Sequence, residues 1–374
     1  MARPRPLDTP PRPGRGRRRA PTIADVAARA GVAVSTVSRV LNGGQVSARA
    51  RERVLAAIDD LAWQPRASAR ALVSGSTGTL GIVVPFFTHP SAVERVRGVL
   101  AALEATAYEL VVCDVASPEQ RDEYLGRRAP LDRADGLLIV SLCPRDDEVD
   151  LLVRAGAPVV LVDAEHPRLP HLVADDVLGG ALATRHLLEL GHERIAFVGD
   201  KSDPGFGFVA SGRRFQGYCD ALAEAGVRCD DALRREGPHG RLVAHRLTRE
   251  LLSLKEPPTA IFAASDTQAL GVLEAATYEG FAVPGDLSVV GFDDLEVAPY
   301  VGLTTVRQPL EESGRRGMER LLALLAGEDD GPVEERLELS LVERATTAPP
   351  RGTGDRRPPV GARRPVGRSG RPAA

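Results

Sequence analysis

Residues 22–43 read TIADVAARAGVAVSTVSRVLNG, and their spacing decides what the front of the chain is. Thr22 with Asp25 three residues on makes a capping-box start, and Ile23, Val26, Ala27 and Ala30 then fall on one helical face. Gly31 stops that helix, because glycine enters the left-handed conformation at a helix end without steric cost. A second helix follows almost at once, with Val37, Val40 and Leu41 expected inward and Ser35, Ser38 and Arg39 outward, until Asn42-Gly43 ends it. Two short helices around a tight glycine-containing turn form a helix-turn-helix. A third helix starting near Ser47 and burying Val54, Ala57, Ile58 and Leu61 gives the pair something to pack against. Short hydroxyls and an arginine on an outer helix face suit the DNA major groove, where arginine bonds guanine O6 and N7. The same face also fits a hairpin that is merely solvated, so the hairpin alone leaves both roles open.

Outward from this stretch, the chain has 374 residues, 43% of them apolar, enough for a sizeable core and two or three domains. The net charge of −3 conceals an uneven layout: residues 1–20 and 351–374 each carry seven Arg against one Asp, leaving an acidic body. Residues 1–21 and 346–374, rich in Arg, Pro and Gly, are expected to be disordered tails. Residues 22–64 read as the helical domain, 65–79 as a connector ending in SGSTG, and 80–345 as alternating strands and helices. Strand candidates are 79–84, 109–114, 135–140, 158–162, 194–199, 259–264 and 287–292, mostly continuous apolar runs as in sheets covered on both faces. Amphipathic helices such as Leu178 to Leu190 and Thr267 to Glu279 fall between them. The fold class expected is therefore an all-α helix-turn-helix domain followed by an α/β domain of two Rossmann-like lobes, with a small molecule in the cleft at the strand carboxyl ends.

The stretch at 22–43, followed by VSARARERVLAAIDDLAWQPRASARALVSGSTGTLGIVVP, resembles the lactose-repressor (LacI/GalR) family of bacterial transcription regulators. The resemblance continues through LLELGHERIAFVGD, RRFQGYCDALAEAG, PPTAIFAASDTQALGVLEAA, VPGDLSVVGFDDLEVAPY and LTTVRQPLEESGRRGMERLLALL, to about residue 345. It implies an effector domain like that of periplasmic sugar-binding proteins. It implies a second helix in the major groove, with Val34, Ser35 and Arg39 toward base edges and Thr22, Thr36, Ser38 and Asn42 toward the backbone. By periodicity Val34 fits either a thymine methyl contact or inward packing. Ala33 stands where the family commonly has a serine N-cap, a loss of ~1 kcal/mol. PRASARAL, residues 65–72, matches the family's hinge helix, too short to be stable alone in water. That match puts Ala69 and Leu72 on DNA, with Leu72 as a minor-groove wedge. Arg66 replaces a frequent Asn there.

For the effector, the resemblance implies Phe86, Ser91, Arg214, Ser265, Asp266, Asp293 and Gln308. An arginine fork with carboxylates bonds several sugar hydroxyls in fixed directions. VVPFFTHPSAVE departs from the family, placing Phe86 and His89 where polar residues are common and Ser91-Ala92 where aromatics stack on a sugar ring. Ser265 and Asp176 also stand where Asn is frequent. The implied protein is a dimeric repressor on a palindromic double-stranded operator, controlled by a small polar effector, a sugar or sugar derivative. The alternative within the family is an activator or dual regulator with a non-sugar effector.

An enzyme is not expected, for the chain holds no GxGxxG after a strand, GxxxxGK[ST], GxSxG or HExxH. No cofactor and no metal site is expected either: His186 and His192 straddle a helix end at a spacing that does not converge on one ion, and an exposed or helix-terminal role is the plainer account. Cys113, Cys143, Cys219 and Cys229 lack paired or metal-ligand spacing and read as reduced thiols of a cytoplasmic protein. No apolar run reaches the ~18 residues of a membrane span, and the start lacks a signal-peptide core. The tail lacks the apolar heptads of a tetramerising bundle.

Overall fold

The computed structural model describes residues 21–41, 44–63, 76–127, 134–328, 331 and 333–351. It divides into two compact units, Met1–Thr77 and Gly78–Ala374. In the first, α1 (Ile23–Ala30), α2 (Val34–Leu41) and α3 (Ala48–Asp60) enclose a small core of Val26, Ala27, Ala30, Val37, Val40, Val54, Ala57 and Trp63. The capping box at Thr22 forms as its spacing predicts: the Asp25 amide donates to Thr22 Oγ1 (3.4 Å) and the Thr22 amide to Asp25 Oδ2 (2.7 Å). Gly31 closes α1 at φ 61°, and its carbonyl accepts from Arg53 of α3 (3.1 Å). Leu41 corrects the expectation: it is exposed, because Val37 and Val40 fill the seam and Leu41 is the last residue of α2. Val34 is exposed too, which removes the inward alternative.

The second unit contains two six-stranded sheets. Lobe 1 comprises β1 (Thr79–Pro85), α4 (Pro90–Leu103), β2 (Glu109–Val115), α5 (Pro118–Asp122), β3 (Gly136–Val140), α6 (Asp146–Ala155), β4 (Val159–Val162) and β5 (His171–Ala174). The chain then crosses to lobe 2 for α7 (Asp176–Glu189), β6 (Ile195–Asp200), α8 (Ala210–Glu224), β7 (Arg234–Gly237), α9 (Arg241–Leu252), β8 (Ala260–Ala263), α10 (Asp266–Glu279), β9 (Ser288–Asp293) and β10 (Thr304–Arg307). It returns for α11 (Leu310–Ala326) and β11 (Glu334–Leu337) on lobe 1 and ends with β12 (Ser340–Val342) on lobe 2. The sheet orders are β11-β5-β4-β3-β1-β2, all parallel, and β12-β10-β9-β8-β6-β7, parallel but for β12. Three crossovers therefore join the lobes, and the carboxyl ends of both parallel sheets converge between them.

All seven apolar-run strands form. Strands β5, β7, β10, β11 and β12 escaped the sequence because HLVA, RREG, TTVR, EERL and SLV are only three or four residues long, and RREG, TTVR and EERL are mostly polar. In β10 the fully buried threonines are satisfied by side-chain bonds, Thr305 donating to Asp266 Oδ1 (2.6 Å). His186 and His192 lie at the end of α7 as expected but are buried, His186 against Thr347 (2.9 Å) and His192 against Thr259 (2.9 Å). Residues 346–351, expected in the tail, are instead held on lobe 2: Thr346 Oγ1 donates to the Val289 carbonyl (2.7 Å) and Arg351 pairs with Asp286 (2.6 Å). Residues 1–20 and 352–374 lie outside the described residues.

Candidate nucleic-acid interface and interlobe site

On α2 the candidate DNA residues share one side. Val34, Ser35 and Arg39 are exposed, and Thr36 and Ser38 are half-buried beside them. This follows from the 3.6-residue period once Val37 and Val40 are buried. With Ala33 no side chain can accept at the helix start, and the Thr36 and Val37 amides reach only the Ala33 carbonyl (2.9 and 3.3 Å). Thr22 is half-buried, its hydroxyl donating to Asp25 Oδ2 (2.7 Å). Asn42, Arg66, Ala69 and Leu72 lie outside the described residues.

In the second unit the site is built at strand ends. Phe86 follows β1, Ser141 follows β3, Asp163 follows β4, Asp293 ends β9 and Asp294 follows it. All five have positive φ, at 47°, 54°, 58°, 119° and 58°. Such conformations cost of order 1–3 kcal/mol each in non-glycine residues and gather where a fold holds side chains for a purpose. Arg214 of α8 is fully enclosed among them. Its Nε donates to Asp176 Oδ1 (2.7 Å), its Nη1 to the Ala264 carbonyl (2.6 Å) with Asp293 3.9 Å away, and its guanidinium lies 3.6 Å over the Phe292 ring. Helices α7 and α8 allow this by touching backbone to backbone: a Cβ on Gly180 would sit 2.0 Å from the Arg214 carbonyl oxygen. Gln308, on the second crossover, donates to Asp293 (2.5 Å) and accepts from Arg95 of α4 (3.3 Å). Arg95 in turn pairs with Asp163 (3.0 Å), which accepts from Ser141 (2.6 Å).

One continuous polar chain thus runs from lobe 2 to lobe 1. Burial pushes the Asp176 and Asp293 carboxyls upward, and the shared Arg214 opposes it. Burial alone would lower the pKa of Arg214, yet Asp176 and Asp293 hold it above its ordinary value. One guanidinium serving two buried carboxylates leaves acceptor capacity to spare.

The outer part of the site is aromatic. Phe86 is half-buried, stacks on His89 (5.0 Å between centroids) and meets Phe206 (5.2 Å) and Phe208 (6.3 Å) of the segment between β6 and α8. His239, after β7, faces His89 (5.1 Å) and Asp200 (3.1 Å). Burial lowers His239 but Asp200 reverses this and raises it, whereas burial and then His239 itself lower His89. A cavity of about 50 Å³ remains between Ser141, Asp163 and Glu165 on one lobe and Asp176, Phe208 and Arg213 on the other. Small-molecule sites are several-fold larger, roughly 300 Å³ upward, so this cavity as it stands is too small for one.

Of the expected effector residues, the structure brings Arg214, Asp293 and Gln308 into one network and Phe86 beside it. Ser91 is half-buried in the first turn of α4. Ser265 and Asp266 serve the framework: Ser265 caps α10, and Asp266 accepts from the Leu295 amide (2.8 Å) and from Thr305. Arg95, Ser141, Asp163, Asp200, Phe206, Phe208 and His239 were missed. For Asp163 and Asp200 a signal existed, since each closes an apolar run. Among the described residues no cluster of three His, Cys, Asp or Glu is arranged to hold a metal, and no helix is long and apolar enough to cross a membrane.

Comparison with known proteins matches residues 22–66 to the bacterial regulatory proteins of the lacI family and residues 184–347 to a periplasmic binding protein-like domain. The HTH-type transcriptional regulator CelR of Thermobifida fusca is 36% identical over 340 residues, covering 88% of this chain and 98% of the relative. The solved transcriptional regulator CelR–cellobiose complex is 34% identical with a TM-score of 0.64, over 87% of this chain and 99% of that one. The Lac repressor dimer bound to operator and the anti-inducer ONPF is 28% identical with a TM-score of 0.74, over 88% and 100%.

Proposed function

The chain belongs to the lacI family of bacterial regulatory proteins, and from that premise we propose that it is a cytoplasmic, dimeric repressor whose α2 reads a palindromic operator and whose interlobe site takes a small sugar. The observation that carries the effector class is the cluster of buried carboxylates around Arg214 and Arg95 at the strand ends. Spare carboxylate oxygens are acceptors, and a sugar is a dense set of O–H donors that meets them with charge-assisted bonds. Phe86 and Phe208 beside them offer flat apolar faces for the C–H side of a sugar ring, with Phe206 buried behind them. The CelR relative makes cellobiose the first effector to test.

For dimerisation we propose the α9–α10 face of lobe 2, where Leu242 and Tyr278 are 71% and 69% exposed and Tyr278 is bracketed by His245 and Arg249. A two-fold partner buries such a face and mirrors a palindrome. The effector acts by preferring one lobe arrangement, with a coupling of ~1–3 kcal/mol to DNA affinity.

The experiment is fluorescence anisotropy of operator DNA with the full chain, titrated with cellobiose. A change of about fivefold or more in operator affinity that disappears in Arg214→Met is the expected result. A response that survives Arg214→Met would place the sugar elsewhere.

A further inference from the structure

Lobe 2 sends one segment into lobe 1. Between β6 and α8 the chain runs from Lys201 to Val209, and Phe206 on it is 4% exposed. Its neighbours are not those of its own lobe. Phe206 belongs to the lobe 1 cluster of Val83, Val115, Leu125, Ile139, Leu142 and Leu161, with Phe86 and Phe208 packed on the edge. Phe208 stacks parallel on Phe206 (5.0 Å, 7°) and faces the cavity between Asp163 and Asp176.

A second contact fastens the same segment. Arg121 of α5 is 3% exposed; it forks onto Glu148 (2.7 and 3.1 Å) and donates to the Cys143 carbonyl (2.9 Å) within lobe 1. Its remaining Nε donates across to the carbonyl of Phe206 (3.3 Å). The segment is also shaped to fit. Gly207 turns at φ 74°, and Gly205 lies so close to Pro118 that a Cβ there would meet its ring at 2.7 Å.

We propose that residues 201–209 form a clasp between the lobes, in which Phe206 and Arg121 hold Phe208 in place as a wall of the effector site. This rests on the interlobe cleft being that site. Phe208 is then a specificity-determining residue, and Phe206 and Arg121 are positioning residues that act through it. Opening the cleft withdraws an aromatic ring from an apolar pocket, so the clasp sets how readily a sugar enters and how long it stays. A single guanidinium bonded to both lobes transmits the state of one to the other.

The test uses the full chain in two arms. Hydrogen exchange without sugar is measured on the wild type, Phe206→Ala and Arg121→Lys, the last keeping a charge for Glu148 while losing the Nε donor. The clasp predicts that both variants exchange the amides of 201–209 at least about tenfold faster while β3 and β4 keep wild-type protection; unchanged exchange at 201–209 in both overturns it. In the second arm cellobiose, glucose and ribose are titrated calorimetrically into the wild type and Phe208→Ala. A sugar that binds the wild type and binds Phe208→Ala at least about tenfold more weakly supports the wall, and undiminished binding overturns it. If none of the three binds the wild type, the sugar assignment made above fails, and the exchange arm decides the clasp by itself.

Discussion

Asp266 carries a testable consequence of its burial. It has no solvent exposure, and burial together with the charge of Asp293 pushes its carboxyl up to about 8, against the opposing bonds from Thr305 and Leu295. In the unfolded chain the same group titrates near ~3.9. Between those values the unfolded state releases a proton that the native state keeps, so native stability falls as pH rises from roughly 4 to 8, by up to ~1.4 kcal/mol per unit from this group. Asp266→Asn mimics the neutral acid, its amide able to serve the Leu295 amide and the Thr305 hydroxyl. Urea unfolding across that range should show a shallower decline in the variant, and a decline equal to the wild type's would assign the pH dependence elsewhere. At this scale the sequence was legible where a residue sits in a strong local pattern. Arg214, Asp293 and Gln308 were named by the family resemblance of the motifs around them, and the structure joins them in one network. Arg95, Asp176 and Asp163 meet only because three crossovers bring distant strand ends together, and no local spacing announces that. Ser265 and Asp266 illustrate the converse: the motif is present, while their hydrogen bonds hold α10, β9 and β10 in place.

At the scale of the element, α2 is the proposed DNA reader and, unlike α1 and α3, starts without a side-chain cap. A serine at position 33 would accept from the amides that now reach only a backbone carbonyl, so Ala33→Ser should stabilise the helical unit by ~1 kcal/mol. The chain's only tryptophan, Trp63, is buried in that unit's core. Its fluorescence therefore follows unfolding of the helices without a signal from the sheets, and a midpoint that does not rise would show that packing alone sets the start of α2. Arg39 is exposed on the outer face of α2. Arg39→Ala should weaken operator binding by about 1–3 kcal/mol and relax the base preference at one position per half-site; a uniform loss across sequences would mark it as a phosphate contact instead. Helices α1 to α3 were readable because apolar periodicity runs through all three and capping residues mark the starts of α1 and α3. Strands β7 and β11 were not, since a short polar strand at a sheet edge has neither an apolar run nor a clean alternation to betray it, and β12 is only three residues long.

Across the whole molecule, the two-lobed α/β architecture followed from seven apolar runs separated by amphipathic helices, whereas the return of α11 and β11 to lobe 1 did not. That return is a tertiary matter: α11 packs Met318 and Leu321 into the same core as β1, β3 and β4, and nothing in its amphipathic pattern names the sheet it covers. The clasp at Phe206 was hidden for the same reason. We propose that a helical DNA reader is coupled here to an allosteric sugar site, and selection of bound duplexes from random DNA by the whole chain tests the reader. The expected result is an enriched palindrome for the wild type, recovered again with looser preference by Arg39→Ala and shifted in abundance when cellobiose is present. Enrichment of no sequence at moderate salt, or of a non-palindromic site bound by a monomer, would contradict it.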